Sequence, residues 1–369
     1  MSKRRKKKLN RRQQEIRRKR LKKRKRRRAI VIIIELIVLC ILGTTAFALF
    51  KLGKMERTSL TNIKNNGLKQ TGYTNIALFG LDSRGKNLGK GNRTDTIMIA
   101  SINNETKKVK LISVYRDTML KQNGEHYDKA NAAYSVGGPE MAVNMLNENL
   151  DLDIQDYVSV NFLALADVID MVDGITVKMT DEEVVHMNNY CVETSKVTGK
   201  KYKKIEPAVA GTYKLNGVQA VSYARIRYTA GGDYKRTERQ RLVLEKTANK
   251  LKKQNLATIN KIIDKVMPEV STSFSTKEIL ALASGAFDFE LGETSGFPFD
   301  LETPDSVPGY SGSYVIPKGL EENVIKLHEF LFPDEDYTPT ETVTNISDTL
   351  INMTNVYPST TGSGTSQYE

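Results

Sequence analysis

Two cysteines in 369 residues leave no room for a disulfide framework. Cys40 lies inside an apolar run and Cys191 far away in a polar stretch, so the fold has to rest on its core. About 280 structured residues suffice to bury one. Histidine is almost as scarce: His126, His186 and His328 are the whole set, with no ligand-like spacing among them. That excludes a histidine-rich zinc site and leaves a histidine-based triad poorly supplied. Ten prolines and 25 glycines, spread along the chain, exclude a collagen-like or globally disordered protein. The length admits one large domain or two ordinary ones.

Charge is what the chain has in excess, and its placement matters more than its total of +13. The first 28 residues hold 19 Lys/Arg against one acid, Glu15, a net +18 that leaves −5 for everything after them. The folded part is therefore mildly acidic, and no nucleic-acid partner is expected of it. Next comes Ala29–Phe50, 22 residues broken by one charge, Glu35. At about 1.5 Å per residue this helix spans a hydrocarbon layer of about 30 Å. The basic tail before it predicts an uncleaved, single-pass anchor in the cell membrane, with the N-terminus in the cytoplasm and residues from about 51 outside. Contact of the tail with anionic membrane lipid follows from the same charge.

Residues 51–72 read as a polar connector. Beyond it, Thr74–Phe79, Thr96–Ile102 and Val109–Tyr115 have the short apolar runs of buried strands, the last two joined through Asn103-Asn104 as a hairpin. Pro139–Leu150 and Leu163–Val172 carry helical spacing, with strands at Tyr157–Val160 and Ile175–Lys178. The alternation predicts an α/β domain over 73–332, a mixed central sheet flanked by helices in α-β-α layers. A polar, lysine-rich stretch at 181–211 reads as a long surface insertion. Helices follow at Asn216–Ala224, Asp233–Lys253, Ile259–Val266 and Lys277–Phe287. The Ser/Thr-rich stretch 333–369 is expected to be disordered.

Gly80–Lys86 matches a phosphate-cradling G-x-x-x-x-G-K loop, but Asn87 replaces the magnesium-binding hydroxyl and Asp82 would put a negative charge in the cradle. The same region offers something else. Asp82 and Arg84 leave the first strand, and Arg93 and Asp95 introduce the second, so neighbouring strands would bring the four to one sheet edge. Two carboxylates meeting there need a cation, and magnesium on a phosphate supplies one. Arg116-Asp117 ends the third strand, again where the sheet's edge should be. Arg225 and Arg227, two apart in YARIRY, would share a face of an extended segment at a spacing suited to a diphosphate. Asp233, Arg236 and Gln240 share one helix face that Leu244 and Leu251 continue, so it looks inward; Arg239 lies off it and reads equally as a surface residue. Each arginine alone reads as a salt-bridged surface charge, and Lys129 equally as an ordinary exposed lysine. Six or so arginines converging on strand ends beside two acids point to a multiply charged phosphate ligand.

In this order the residues resemble the LytR–CpsA–Psr family of Gram-positive cell-envelope proteins. The matching stretches are TNIALFGLDSR, RTDTIMIASIN, KVKLISVYRDT, KANAAYSVGG, YVSVNF, DGITV, LNGVQAVSYARIRY and GDYKRTERQ, from about Thr74 to Gln240. The resemblance implies a phosphotransferase that moves a polyprenyl-pyrophosphate-linked anionic glycopolymer, teichoic acid or capsular polysaccharide, onto the N-acetylmuramic acid of peptidoglycan, releasing polyprenyl phosphate. It implies Asp82 and Asp95 as ligands of magnesium, or manganese. Arg93, Arg116, Arg225, Arg227, Arg236 and Gln240 become a pyrophosphate clamp, with Arg84 and Lys129 beside them and Arg116 and Arg236 stabilising charge in the reaction. It also implies a hydrophobic lipid pocket between sheet and helices. Asp233, facing inward near the clamp, is the candidate base, with a helix N-cap as its other reading. The insertion at 181–211 departs from the family. A non-catalytic, membrane-anchored lipid-glycan receptor or envelope regulator would use the same residues.

Overall fold

A computed structural model describes residues 56–82, 88–285 and 288–359. The basic tail, the predicted span at 29–50 and Arg84 lie outside the described residues. Among the described residues no helix is long and apolar enough to cross a membrane.

The strands are β1 (Glu56–Arg57), β2 (Tyr73–Leu81), β3 (Thr94–Asn103), β4 (Lys108–Val114), β5 (Met119–Asn123), β6 (His126–Lys129), β7 (Ile154–Asn161), β8 (Ile175–Met179), β9 (Gly211–Leu215), β10 (Val270–Thr272), β11 (Glu290–Phe297), β12 (Leu301–Glu302) and β13 (Ile316–Pro317). The helices are α1 (Ala130–Leu150), α2 (Phe162–Met171), α3 (Asp181–Thr198), α4 (Gly217–Ala224), α5 (Gly232–Leu251), α6 (Leu256–Val266), α7 (Thr276–Gly285), α8 (Leu320–Leu331) and α9 (Glu341–Thr354). Seven strands form one mixed sheet in the order β1-β10-β7-β2-β3-β4-β11. The expected hairpin is present: β3 and β4 pair antiparallel, and Asn103 Oδ1 accepts from the amides of Glu105 and Thr106 in the turn.

Alternation along β2 explains the layers. Ala77, Phe79 and Leu81 pack on one face with α1, α8 and α9, while Ile76 and Leu78 point to the other, toward Phe274 and α7. Both faces are covered, so both sets are apolar and the strand reads as a continuous run. The predicted α/β layering is what forms. α1 begins a turn and more before Pro139; Gly138, at φ 71°, breaks it, and Pro139 opens its second segment as a helix-starting proline should.

Three stretches differ from expectation. Residues 181–211 are not a loose surface insertion. Thr180 and Glu183 close a capping box, and Val184, Met187 and Cys191 of α3 enter a second core with Val218 and Tyr223. Their helical spacing is thin among acids and asparagines, so the polar majority masked a buried face. Residues 333–369 are not uniformly disordered either. Val343, Ile346 and Leu350 of α9 join the main core at i, i+3 and i+7, and the chain is described to residue 359. The connector is tied down as well: β1 pairs with β10, Leu60 and Ile63 pack on the core, and the amides of Thr61 and Asn62 donate to Glu140.

One buried carboxylate holds both of these ends. Asp151 accepts from Tyr337 Oη at 2.6 Å, and from the amide and hydroxyl of Thr340 at 2.9 and 2.7 Å; Asn66 Nδ2 also donates to it. His328 stacks on Tyr337 at 3.6 Å, closing the cluster. Asp151→Ala leaves these donors unmatched. At about 1.5–3 kcal/mol for a hydrogen bond to a charged group, stability should fall by about 3 kcal/mol or more. Guanidinium unfolding of the full chain in detergent measures it, and a loss under about 1 kcal/mol would mean that solvent replaces the bonds freely.

Candidate functional site

β2 and β3 deliver the first residues by their register. Gly80 lies opposite Thr96, and the Asp82 amide donates to the Arg93 carbonyl at 3.1 Å, so the two loops meet at one sheet edge. A Cβ on Gly80 would stand 2.9 Å from Thr96 Cβ, which keeps that edge open to glycine alone. Arg116 follows β4 to the same edge, and its Nη1 meets Asp95 Oδ1 at 2.7 Å. Arg227 Nη2 approaches the same Oδ1 at 3.5 Å, and Gln240 Nε2 lies 3.5 Å from the Asp95 carbonyl. Asp95 is thus a shared anchor for two cations from opposite ends of the domain sequence.

Beneath this edge runs a cavity of about 590 Å³. Its floor is the sheet face carrying Leu78, Met98, Val158 and Val160; its roof is Phe162 and Leu165 of α2, Val221 of α4, and Val243 and Leu244 of α5. The polar mouth carries Asp82, Arg93, Asp95, Arg116, Arg225, Arg227, Arg236 and Gln240. The volume is that of an ordinary ligand site. Apolar walls with every charge gathered at one end suit an amphiphile with an anionic head. No sequence signal separated these wall residues from ordinary core, apart from the Gln240–Leu244 stripe.

Arg236 is the most constrained member. It is 1% exposed and bound to Asp233 Oδ2 through Nη2 at 2.9 Å, while its Nε and Nη1 have no hydrogen-bond partner among the described residues. Burial lowers its pKa to about 10, so it stays protonated at neutral pH. A buried cation with two open donors costs free energy until an anion meets it. Burial raises the Asp233 pKa, with Arg236 and Arg116 pulling against it. Burial also works against the Arg116 charge, but Asp117 and Asp95 more than offset that, and its pKa is raised. Asp233 is not the N-cap of α5; Gly231 holds that place.

One local expectation fails, and one open alternative is decided. YARIRY is not extended at its arginines: α4 ends at Ala224, and Arg225 caps it at φ −95°, ψ −8°. Arg225 lies over Phe162 and Tyr190, with ring centroids at 4.9 and 5.7 Å, and bonds Glu193 and Thr194, while Arg227 turns toward Asp95. Both still line the cavity, by the end of a helix and not by strand alternation. Arg239 is no surface residue. At 4% exposure it joins Glu183, the Ile226 carbonyl and Thr229, bracing the second core. Lys129 stands just outside the cavity, 3.4 Å from Asp117 Oδ1, and Asp117 also lies 3.3 Å from Arg116 Nε. The sequence placed Asp117 at this edge beside Arg116, and the structure adds its role as the bridge to Lys129.

Asp82 and Asp95 line the same mouth, and as hard oxygen donors they suit magnesium in kind. They fall short in number, since among the described residues no three His, Cys, Asp or Glu group together. Both arginine contacts to Asp95 fall on Oδ1, which leaves the other oxygen to a cation.

A mixed sheet flanked by helices, with an apolar cavity under a cluster of arginines, is the architecture that positions the site. The LytR_cpsA_psr family model matches residues 44–293, and the chain belongs to that family. Biofilm regulatory protein A of Streptococcus mutans is 31% identical over 254 residues, covering 65% of this chain but 60% of that protein. The polyisoprenyl-teichoic acid–peptidoglycan teichoic acid transferase TagU of Enterococcus faecalis is 28% identical over 256 residues, covering 67% and 78%. The solved structure of the LytR-CPS2A-psr family protein YwtF (TagT) with bound octaprenyl pyrophosphate lipid shares the fold. Its TM-score is 0.53 at 21% identity, over 74% of this chain and 99% of that one.

Arg227, at the mouth, gives the cleanest test of the clamp. Arg227→Ala should cost about 2–4 kcal/mol of prenyl-pyrophosphate affinity, as for a charge pair truncated out of water. Arg227→Lys should also weaken binding, because an ammonium has no planar fork. Calorimetry on the full chain in detergent reads both, and a loss below about 1 kcal/mol would make Arg227 a surface charge.

Proposed function

We propose that this chain transfers a polyprenyl-pyrophosphate-linked anionic glycopolymer, a teichoic acid or capsular polysaccharide, onto the N-acetylmuramic acid of peptidoglycan through a phosphodiester. Arg236 carries the reading: a buried cation with two open donors at the polar end of an apolar cavity. A polyprenyl pyrophosphate satisfies both halves, with hydrocarbon against Leu78, Val158, Leu165 and Leu244 and its phosphates against Arg116, Arg227 and Arg236. The relative named as a polyisoprenyl-teichoic acid transferase supports the same substrate class.

In the reaction a sugar hydroxyl attacks the glycan-side phosphorus. The new O–P bond forms, the bond from that phosphorus to the bridging oxygen breaks, and polyprenyl phosphate leaves with the electron pair. Fixed guanidiniums stabilise the charge that grows on both phosphates without reorganising. Asp233 takes the proton of the hydroxyl; its pairing with Arg236 sets its orientation beside the clamp. Asp82 and Asp95 would hold magnesium, which would supply neutralisation of the charge on the leaving group. The chain works as a single-pass membrane protein anchored by Ala29–Phe50, with this domain outside and its lipid substrate drawn from the same bilayer.

The full chain in detergent, given lipid-pyrophosphate glycan and peptidoglycan oligomers, should form a covalent conjugate and release polyprenyl phosphate. An acceptor blocked at the muramic acid 6-hydroxyl should yield none. Asp95→Ala, or chelation of divalent ions, should stop transfer while leaving lipid binding measurable. Tight lipid binding with no conjugate from any donor would make the protein a receptor.

The base assignment predicts a pH limb. Asp233 works only when ionised, and its pKa is raised by burial, so kcat/KM should fall as pH drops through a value above the ordinary aspartate range. Asp233→Asn should lose that limb along with most of the rate. A limb unchanged in Asp233→Asn assigns the proton transfer to another group.

A further inference from the structure

Arg93 and Arg116 have a second side. Besides the apolar cavity, they wall a separate hollow of about 330 Å³ whose other lining includes Asp117, Asp128, Lys129, Asn131 and Tyr314. This hollow is organised rather than merely polar. Tyr314 Oη donates to Asp128 Oδ1 at 2.9 Å, and the Lys129 amide donates to the same oxygen at 2.7 Å. The Lys129 ammonium sits 4.8 Å over the Tyr314 ring and 3.4 Å from Asp117 Oδ1. Tyr310 packs edge-on against Tyr314 with centroids 5.6 Å apart.

Tyr314 reaches this place through backbone pairing. The Val315 amide donates to the Asp117 carbonyl at 2.9 Å, and the Met119 amide to the Val315 carbonyl at 2.9 Å. The segment bearing it lies beyond residue 293, where the family match ends. A stretch outside the matched region therefore completes a wall of the site.

The donor set differs from that of the clamp. Two carboxylates, an ammonium, an amide and the shared guanidiniums offer acceptors and donors in balance. The carboxylates oppose a second phosphate, while a polyhydroxylated ligand can donate to the carboxylate oxygens and accept from the cations and the amide. Position adds the second argument. In displacement at phosphorus the entering and leaving oxygens stand roughly in line. With the leaving polyprenyl phosphate in the apolar cavity, a phosphorus gripped by Arg93 and Arg116 presents its opposite side to this hollow.

We propose that the hollow is the acceptor-sugar subsite, which receives a saccharide of the peptidoglycan strand and aims its hydroxyl at the phosphorus. Asp128 accepts from a ring hydroxyl, and Tyr314 is a positioning residue that fixes Asp128 and Lys129. This rests on the transfer reading above.

The test uses the full chain in detergent with saturating lipid-pyrophosphate donor and a varied concentration of peptidoglycan glycan oligomer. Asp128→Asn should raise the acceptor KM about tenfold, the loss expected for one hydrogen bond to a charged group. Tyr314→Phe keeps the ring and should raise it about threefold, since only the orienting bond goes. Donor affinity by calorimetry should stay at the wild-type value in both. An unchanged acceptor KM in both variants overturns the subsite, as does a parallel loss of donor affinity. Wild-type protein that makes no conjugate overturns the transfer reading instead. In that event, saturation-transfer NMR with the N-acetylglucosaminyl-N-acetylmuramic acid disaccharide decides the subsite alone: binding lost in Asp128→Asn supports it, and equal binding or none in wild type overturns it.

Discussion

A guanidinium kept out of water with two of its donors unmatched is the constraint from which the rest of the site follows. Arg236 is held away from solvent on α5, which is fixed against the second core by Val243 and by the pairing of Arg239 with Glu183. Its one protein partner, Asp233, lies a helical turn away on the same element. The free protein therefore holds charge in a place where charge is costly, and that cost becomes binding energy when phosphates arrive. Asp95 plays the reciprocal part. By taking both Arg116 and Arg227 on one oxygen, it draws cations from β4 and from the α4–α5 junction to one point, without neutralising either completely.

The four central strands, β7, β2, β3 and β4, were legible in the sequence because they are covered on both faces and read as apolar runs; β1, β10 and β11 toward the edges carry no such run and were not read. Three of the sheet-edge quartet were legible for a related reason: strand ends carry their charges at fixed offsets from those runs, so Asp82, Arg93 and Asp95, and Arg116 after the next strand, could be placed before their contacts were known, while Arg84 lies outside the described residues. The arginine pair of YARIRY was located correctly but for the wrong reason, since a helix C-cap and not strand alternation aims Arg225 and Arg227. Arg239 shows the limit of helical-face arithmetic. Spacing on one helix cannot reveal a second packed neighbour, and α3 is that neighbour.

α3 and α9 were missed by a common mechanism. Each buries three apolar residues at i, i+3 and i+7 among neighbours that are mostly polar, so its average composition is that of a polar stretch while its packed stripe is not. Tyr314 was illegible for a different reason. It meets Asp128 across 186 positions of chain, through strand-like pairing of a segment with little regular structure, and no local pattern encodes that encounter. Long-range closure, not residue type, separates what could be read from what could not.

The carboxylate of Asp151 has a consequence for the order of assembly. Its partners in the last part of the domain stand as many as 189 positions further along the chain. A polypeptide emerging N-terminus first can form the β2–β3–β4 meander early, from neighbours in sequence, but Asp151 at the end of α1 keeps only the Asn66 donor and lacks those of Tyr337 and Thr340 until they arrive. Closure of so long a loop is slow. The nascent domain therefore passes through an interval in which its central meander exists and one flank of its core lies open, and α9 works as the latch that closes it.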